Sequence, residues 1–148
     1  MTTIYVDADA CPVKDEVVRV AERHGSKVFI VTNGGVRPIR HPLVEMTYVP
    51  SGPDVADDWI AERIAAGDIC VTADIPLAGR CVKAGADVLK PNGDLLDEKA
   101  VGMAVAMRDL MTGLRETGAV SGYNAGFTKA DRSRFLQSLD RLLTRSGR

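Results

Sequence analysis

Apolar and polar residues follow one another along this chain in blocks that predict strands and helices in turn. Ile4-Tyr5-Val6 is an apolar strand that ends in Asp7-Ala8-Asp9. Pro12 to His24 then has helical spacing: Val17, Val18 and Ala21 share a face, Pro12 suits the first turn and Gly25 can end it. Lys27 to Thr32 is a continuous apolar strand of the kind covered on both faces. A loop from Asn33 through Pro42 leads to a shorter strand, Glu45 to Val49. Pro50-Ser51-Gly52-Pro53 then turns into a helix from about Asp54 to Ala66. Asp68 to Thr72 is another buried strand, Pro76 to Ala84 a short helix ended by Gly85, and Asp87 to Lys90 a further strand before the turn Pro91-Asn92-Gly93-Asp94.

This order predicts an α/β fold with a mainly parallel central sheet of about five strands flanked by helices. The C-terminal third changes to helix. From about Asp97 to Glu116, Ala100, Met103, Met107, Leu110 and Leu114 make a stripe expected in the core, with Val101 and Val105 beside it. Thr117 to Phe127 reads as a connector. Thr128 can cap a last helix with Asp131 three positions on, and Phe135, Leu136, Leu139, Leu142 and Leu143 are expected inward. Arg134, Arg141, Arg145 and Arg148 then form a basic, solvated side.

Composition narrows the partners. The 148 residues are 45% hydrophobic and 26% charged, enough for one domain over 1–148 with a real core. A net charge of -1 gives no global pull on a polyanion, so any nucleic acid has to be held by a local basic patch. No apolar run reaches a membrane span, and Met1 to Thr3 leads into a strand without a leader pattern, so no membrane and a cytoplasmic location are expected. Cys11, Cys70 and Cys81 form no CxxC and leave one unpaired in any disulfide scheme, which suits a reducing compartment. Cys70 is expected in the core.

The chemistry lies in the carboxylates. Residues i and i+2 of a strand share a side, so Asp7 and Asp9 project together from the carboxyl end of the first strand. Asp74 follows the fourth strand, and Asp54, Asp57 and Asp58 crowd the start of a helix. Open parallel sheets gather such positions at one edge, where ligands bind. Capping alone accounts for Asp54 or Asp74, and the helix dipole for Asp57, but neither accounts for Asp7 with Asp9. Clustered carboxylates repel unless cations neutralise them, and an all-oxygen set favours Mg2+ or Mn2+ over Zn2+. His24 and His41 have no HExxH spacing and are expected at the surface; there is no GxSxG and no GxxxxGK[ST]. Cys11 is an unfavourable nucleophile because neighbouring carboxylates raise its pKa.

Four segments resemble the signature blocks of the YaiI/YqxD family of bacterial proteins: Asp7 to Lys14, Pro50 to Ile60, Thr72 to Ala78, and Gly126 to Arg132. That resemblance implies a PIN-like fold. The wider PIN group contains Mg2+ or Mn2+ dependent ribonucleases, and by resemblance their acidic roles fall on Asp7, on Asp57 or Asp58, and on Asp74, with Thr72 as supporting hydroxyl. The expectation is therefore a metal-dependent phosphodiesterase acting on RNA or single-stranded nucleic acid. Asp7, Asp9, Asp58 and Asp74 would be catalytic and hold one or two metals, Asp57 would be a further or alternative ligand, and Lys14, Arg37 and Arg40 are the nearest phosphate contacts. Two alternatives stay open. DxD after the first strand and Val31-Thr32-Asn33 after the next resemble haloacid-dehalogenase-type phosphatases, although Lys90-Pro91 runs into a turn where that group needs a strand ending in paired acids. An inactive nucleic-acid or protein-binding module is the other. The oligomeric state stays open.

Overall fold

In the computed structural model, residues 2–52, 54–116 and 127–146 are described, apart from the side chains of 10, 108–116 and 146. The elements are β1 (Thr3–Asp7), a 3-10 turn (Ala8–Ala10), α1 (Lys14–His24), β2 (Lys27–Thr32), β3 (Val44–Tyr48), α2 (Val55–Arg63) and β4 (Ile69–Val71). They continue as α3 (Ile75–Lys83), β5 (Asp87–Leu89), β6 (Leu95–Leu96), α4 (Glu98–Glu116) and α5 (Lys129–Ser146). One six-stranded sheet runs β3-β2-β1-β4-β5-β6, parallel throughout except for β6.

Alternation along β1 sends Ile4 and Val6 to one face and Tyr5 to the other. Ile4 and Val6 meet Val17, Val20 and Ala21 of α1 and Phe135, Leu139 and Leu143 of α5. Tyr5, Val31 and Cys70 meet Ile60 of α2, Leu77 and Cys81 of α3, and Ala100 and Val101 of α4. Both faces are covered, so the middle of each central strand carries no charged residue. Phe135 is fully buried, and its truncation to alanine would cost about 3–5 kcal/mol.

The expected architecture is present with one more strand than predicted. β6 is two residues long and sits just beyond Pro91-Asn92-Gly93-Asp94, which turns the chain back antiparallel onto β5. Gly93 belongs in that turn for two reasons. Its φ is +96°, and a Cβ there would lie 2.8 Å from the backbone carbonyl carbon of Arg134, so α5 packs on the bare backbone. Ser138 Oγ donates to the Gly93 carbonyl at 2.8 Å.

The stripe on α4 corrects the sequence-based expectation. Ala100 and Val101 pack inward, but Met103 is 65% and Met107 58% exposed. Helical spacing gives a common face; it does not say which face meets the sheet. The side chains of Leu110 and Leu114, the connector residues 117–126 and Arg148 lie outside what is described. The histidines are less exposed than expected: His24 pairs with Asp140 at 2.7 Å and His41 with Glu22 at 3.8 Å, each histidine side chain 22% exposed. No described helix is long and apolar enough to cross a membrane.

Candidate functional site

The chain runs outward from β1 through β2 to β3, then returns to place β4 on the other side of β1. The connections after β1 and β4 therefore leave toward opposite faces, α1 to one and α3 to the other. A crevice opens at the carboxyl ends of these two strands, where ligands bind in open α/β sheets.

Asp7 is the last residue of β1, and Thr72 follows β4 directly. The Thr72 hydroxyl donates to Asp7 Oδ2 at 2.9 Å and accepts the Asp74 N–H at 3.0 Å. Asp74 caps α3, its Oδ1 accepting the Leu77 N–H at 2.9 Å. One buried threonine thus holds both aspartates at the same strand ends. A second threonine does the same work on the other side of β1. Thr32 ends β2, donates its hydroxyl to Asp9 Oδ1 and accepts the Gly34 N–H at 3.1 Å, while Asp9 Oδ2 accepts the Asn33 N–H at 3.2 Å. Asp7 is tied toward β4 and Asp9 toward β2.

The third wall is the start of α2. Asp54 precedes it with a φ of 63°, a left-handed conformation that aspartate tolerates better than most non-glycine residues. Its side chain makes no capping bond. Asp57 lies in the first turn, and its pKa is pushed up to about 6, first by burial and then by the charges of Asp74, Asp7 and Asp54, against which only Arg80 acts. Burial likewise raises the Asp7 carboxyl, and the charges of Asp74 and Asp9 add to this while the Thr72 hydrogen bond opposes it. Asp58 is about 100° further round the helix. It accepts a 2.6 Å hydrogen bond from Arg80 Nη1. Asp57 shares the field of Asp7 and Asp74, whereas Asp58, expected to be catalytic with Asp57 as the alternative ligand, pairs with Arg80 of α3.

Lys14 donates to the Cys11 carbonyl at 2.7 Å from the start of α1. Burial pushes the Cys11 thiol up to about 11, with Asp7 and Glu16 contributing, so a thiolate is disfavoured there. The fit of these residues to Mg2+ or Mn2+ is chemical. The donors are all carboxylate and hydroxyl oxygens, and repulsion at Asp57 is opposed by a single arginine. Among the described residues no three acidic, histidine or cysteine side chains are gathered as a ligand set. Thr32 and Arg80 join the expected residues at the site. The signal for Thr32 was the repetition of Val31-Thr32 and Val71-Thr72 at the ends of the two strands that flank β1.

Comparison with known proteins agrees along nearly the whole chain. The family model described as "Uncharacterized BCR, YaiI/YqxD family" matches residues 5–145. A UPF0178 protein of Rhodopseudomonas palustris (strain HaA2) is 58% identical over 147 residues, covering 99% of this chain and 90% of its own length. One of Rhizobium meliloti (strain 1021) is 61% identical over 142 residues, covering 96% and 97%. One of Gluconobacter oxydans (strain 621H) is 58% identical over 144 residues, covering 97% and 82%. No solved structure matches.

Proposed function

This chain belongs to the YaiI/YqxD family, and we propose that it is a PIN-like, Mg2+ or Mn2+ dependent nuclease that hydrolyses phosphodiester bonds of RNA or other single-stranded nucleic acid in the cytoplasm. The observation that carries this reading is the convergence of Asp7 and Asp74 on Thr72 at the switch point of the sheet, beside the acidic start of α2. Unrelieved repulsion among such carboxylates weakens a fold and is retained where a cation or a reaction uses it. Asp7, Asp57 and Asp74 would hold the metal, with Asp9 at the rim. A divalent cation supplies an activated water and neutralises charge on the attacked phosphate. Thr72 fixes the orientation of Asp7 and the backbone of Asp74, and Arg80 limits the negative charge by holding Asp58. The three free, buried cysteines support a reducing compartment.

The phosphatase alternative loses support at β6. Asp97-Glu98 follows that strand, but β6 runs antiparallel, with Leu96 opposite Val88, so the acids lie at the sheet edge away from Asp7. The deciding experiment incubates purified protein with labelled single-stranded RNA in Mn2+, in Mg2+ and in excess chelator. Cleavage that requires the cation and disappears in Asp7→Asn is expected. Equal cleavage in chelator, or full activity in that variant, would overturn the mechanism, and metal-enhanced binding of RNA without cleavage would select the inactive binding module.

A further inference from the structure

Beside the acidic crevice, the start of α1 and the loop between β2 and β3 enclose a cleft of about 480 Å³, lined by Pro12, Lys14, Asp15, Arg37, Pro38 and Ile39. We propose that this cleft is an anion subsite that seats a backbone phosphate of a single-stranded polynucleotide neighbouring the phosphate in the crevice. The choice of occupant rests on the nuclease reading above.

The position follows from the strand ends. Four residues of chain, Ala8 to Cys11, separate Asp7 from Pro12, and Asp9 fastens this segment to the β2–β3 loop through Thr32 and Asn33. The crevice and the cleft are thus built from one continuous rim at the same edge of the sheet, with opposite charge. Lys14 spends one of its three donors on the Cys11 carbonyl and keeps two. Arg37 is exposed and makes no ion pair or hydrogen bond among the described residues, which leaves its planar fork available to two phosphate oxygens. Arg40, named with them from sequence, does not line the cleft. Pro12, Pro38 and Ile39 supply apolar walls for a sugar or base. A positively charged groove follows the backbone of an unpaired strand, and the volume falls in the range of ligand sites. Asp15 is the one unfavourable charge among the lining residues.

The test measures binding without turnover: fluorescence anisotropy of a labelled single-stranded RNA in excess chelator across a salt series. Arg37→Ala should weaken binding about fivefold near 0.1 M salt and lower the salt slope by about 0.7, the loss of one phosphate contact on a single strand. Asp15→Asn should tighten binding. Unchanged affinity and slope in Arg37→Ala, or weaker binding in Asp15→Asn, would overturn the subsite. Competition by polyglutamate of equal charge as effective as by unlabelled RNA would overturn the polynucleotide as its occupant. If binding depends on Arg37 while Mn2+ produces no cleavage, the nuclease reading fails and the subsite stands.

Discussion

Acidic residues are handled differently on the two sides of this molecule. Along α5 and its contact with α1, carboxylates meet donors and cations: Asp140 hydrogen-bonds His24 at 2.7 Å, Glu16 faces Arg132 at 3.4 Å, and Asp131 faces Arg134 within α5 at 3.9 Å. In the crevice, Asp7 and Asp57 face other carboxylates and are displaced upward in pKa, while the nearest arginine is held by Asp58. The paired acids serve the packing of two helices. The crowded ones oppose the fold unless something positive joins them, and this contrast, more than the number of acids, points to a site. It also separates Asp57 from Asp58, adjacent residues with opposite company.

The largest expected effect breaks that pair apart. With RNA as substrate and Mn2+ present, Asp57→Asn should lose activity on the order of 10²-fold or more, because it removes a ligand and a negative charge from the reacting centre. Asp58→Asn should cost only a few-fold. Initial rates of the two purified variants decide it, and equal losses would mean that the crevice does not distinguish the two helix positions.

Removal of the repulsion should also show in stability. The Asp57 pKa is raised from 3.8 to about 6 in the folded protein, so its favourable contribution is present below the unfolded value and is lost as pH rises through about 6. At pH 7 without divalent cations, Asp57→Asn should therefore melt higher than the parent. Discounted for partial solvation, the gain is about 1 kcal/mol, or roughly 2–4 °C for a chain of this size. Added Mn2+ should stabilise the parent more than the variant. A variant that melts lower at pH 7 in chelator, with no Mn2+ shift in either protein, would remove the basis of the comparison.

What the sequence made legible follows the same division. Strand and helix positions were readable because Val28 to Val31 is a short, mostly β-branched run and because Phe135, Leu139, Leu142 and Leu143 recur with the helical period. The expected β2, residues 27–32, coincides with the observed one. β6 escaped because two leucines after a turn carry no period. The placing of Met103 and Met107 failed because spacing orders a face without orienting it. At the site, Asp7, Thr72 and Asp74 were readable from strand ends and caps, which are local features. The choice between Asp57 and Asp58 was not local. It depends on how α2 is rotated over the sheet and on Arg80, 22 residues away along the chain.

Arg80 gives a finer test. It is the cation that lowers the Asp57 pKa, and it occupies Asp58. Arg80→Ala should raise the Asp57 titration midpoint further, since a positive neighbour is lost and the Asp58 charge is released. NMR titration of the Asp57 carboxyl in parent and variant measures this, and a midpoint that falls or stays put would show that Arg80 does not bear on the crevice.

The smallest effect lies on the other side and has the opposite sign. The His24 hydrogen bond, with the charges of Arg23 and His24, holds the Asp140 carboxyl below its ordinary range. A depressed folded pKa contributes stability that is present above the unfolded value and is lost as pH falls through the folded one. Asp140→Asn should therefore melt lower than the parent at neutral pH, where Asp57→Asn melts higher, and the two melting curves should converge with the parent in acid. Asp140 is at the surface, so solvent screening keeps the loss to about 1–2 °C, and 0.5 M salt should shrink it. Melting temperatures of the parent and of both variants from pH 3 to 7, in chelator, place the two effects on one axis. If Asp140→Asn matches the parent throughout, the α1–α5 pair adds nothing to the fold and pairing is no longer what distinguishes that side from the crevice.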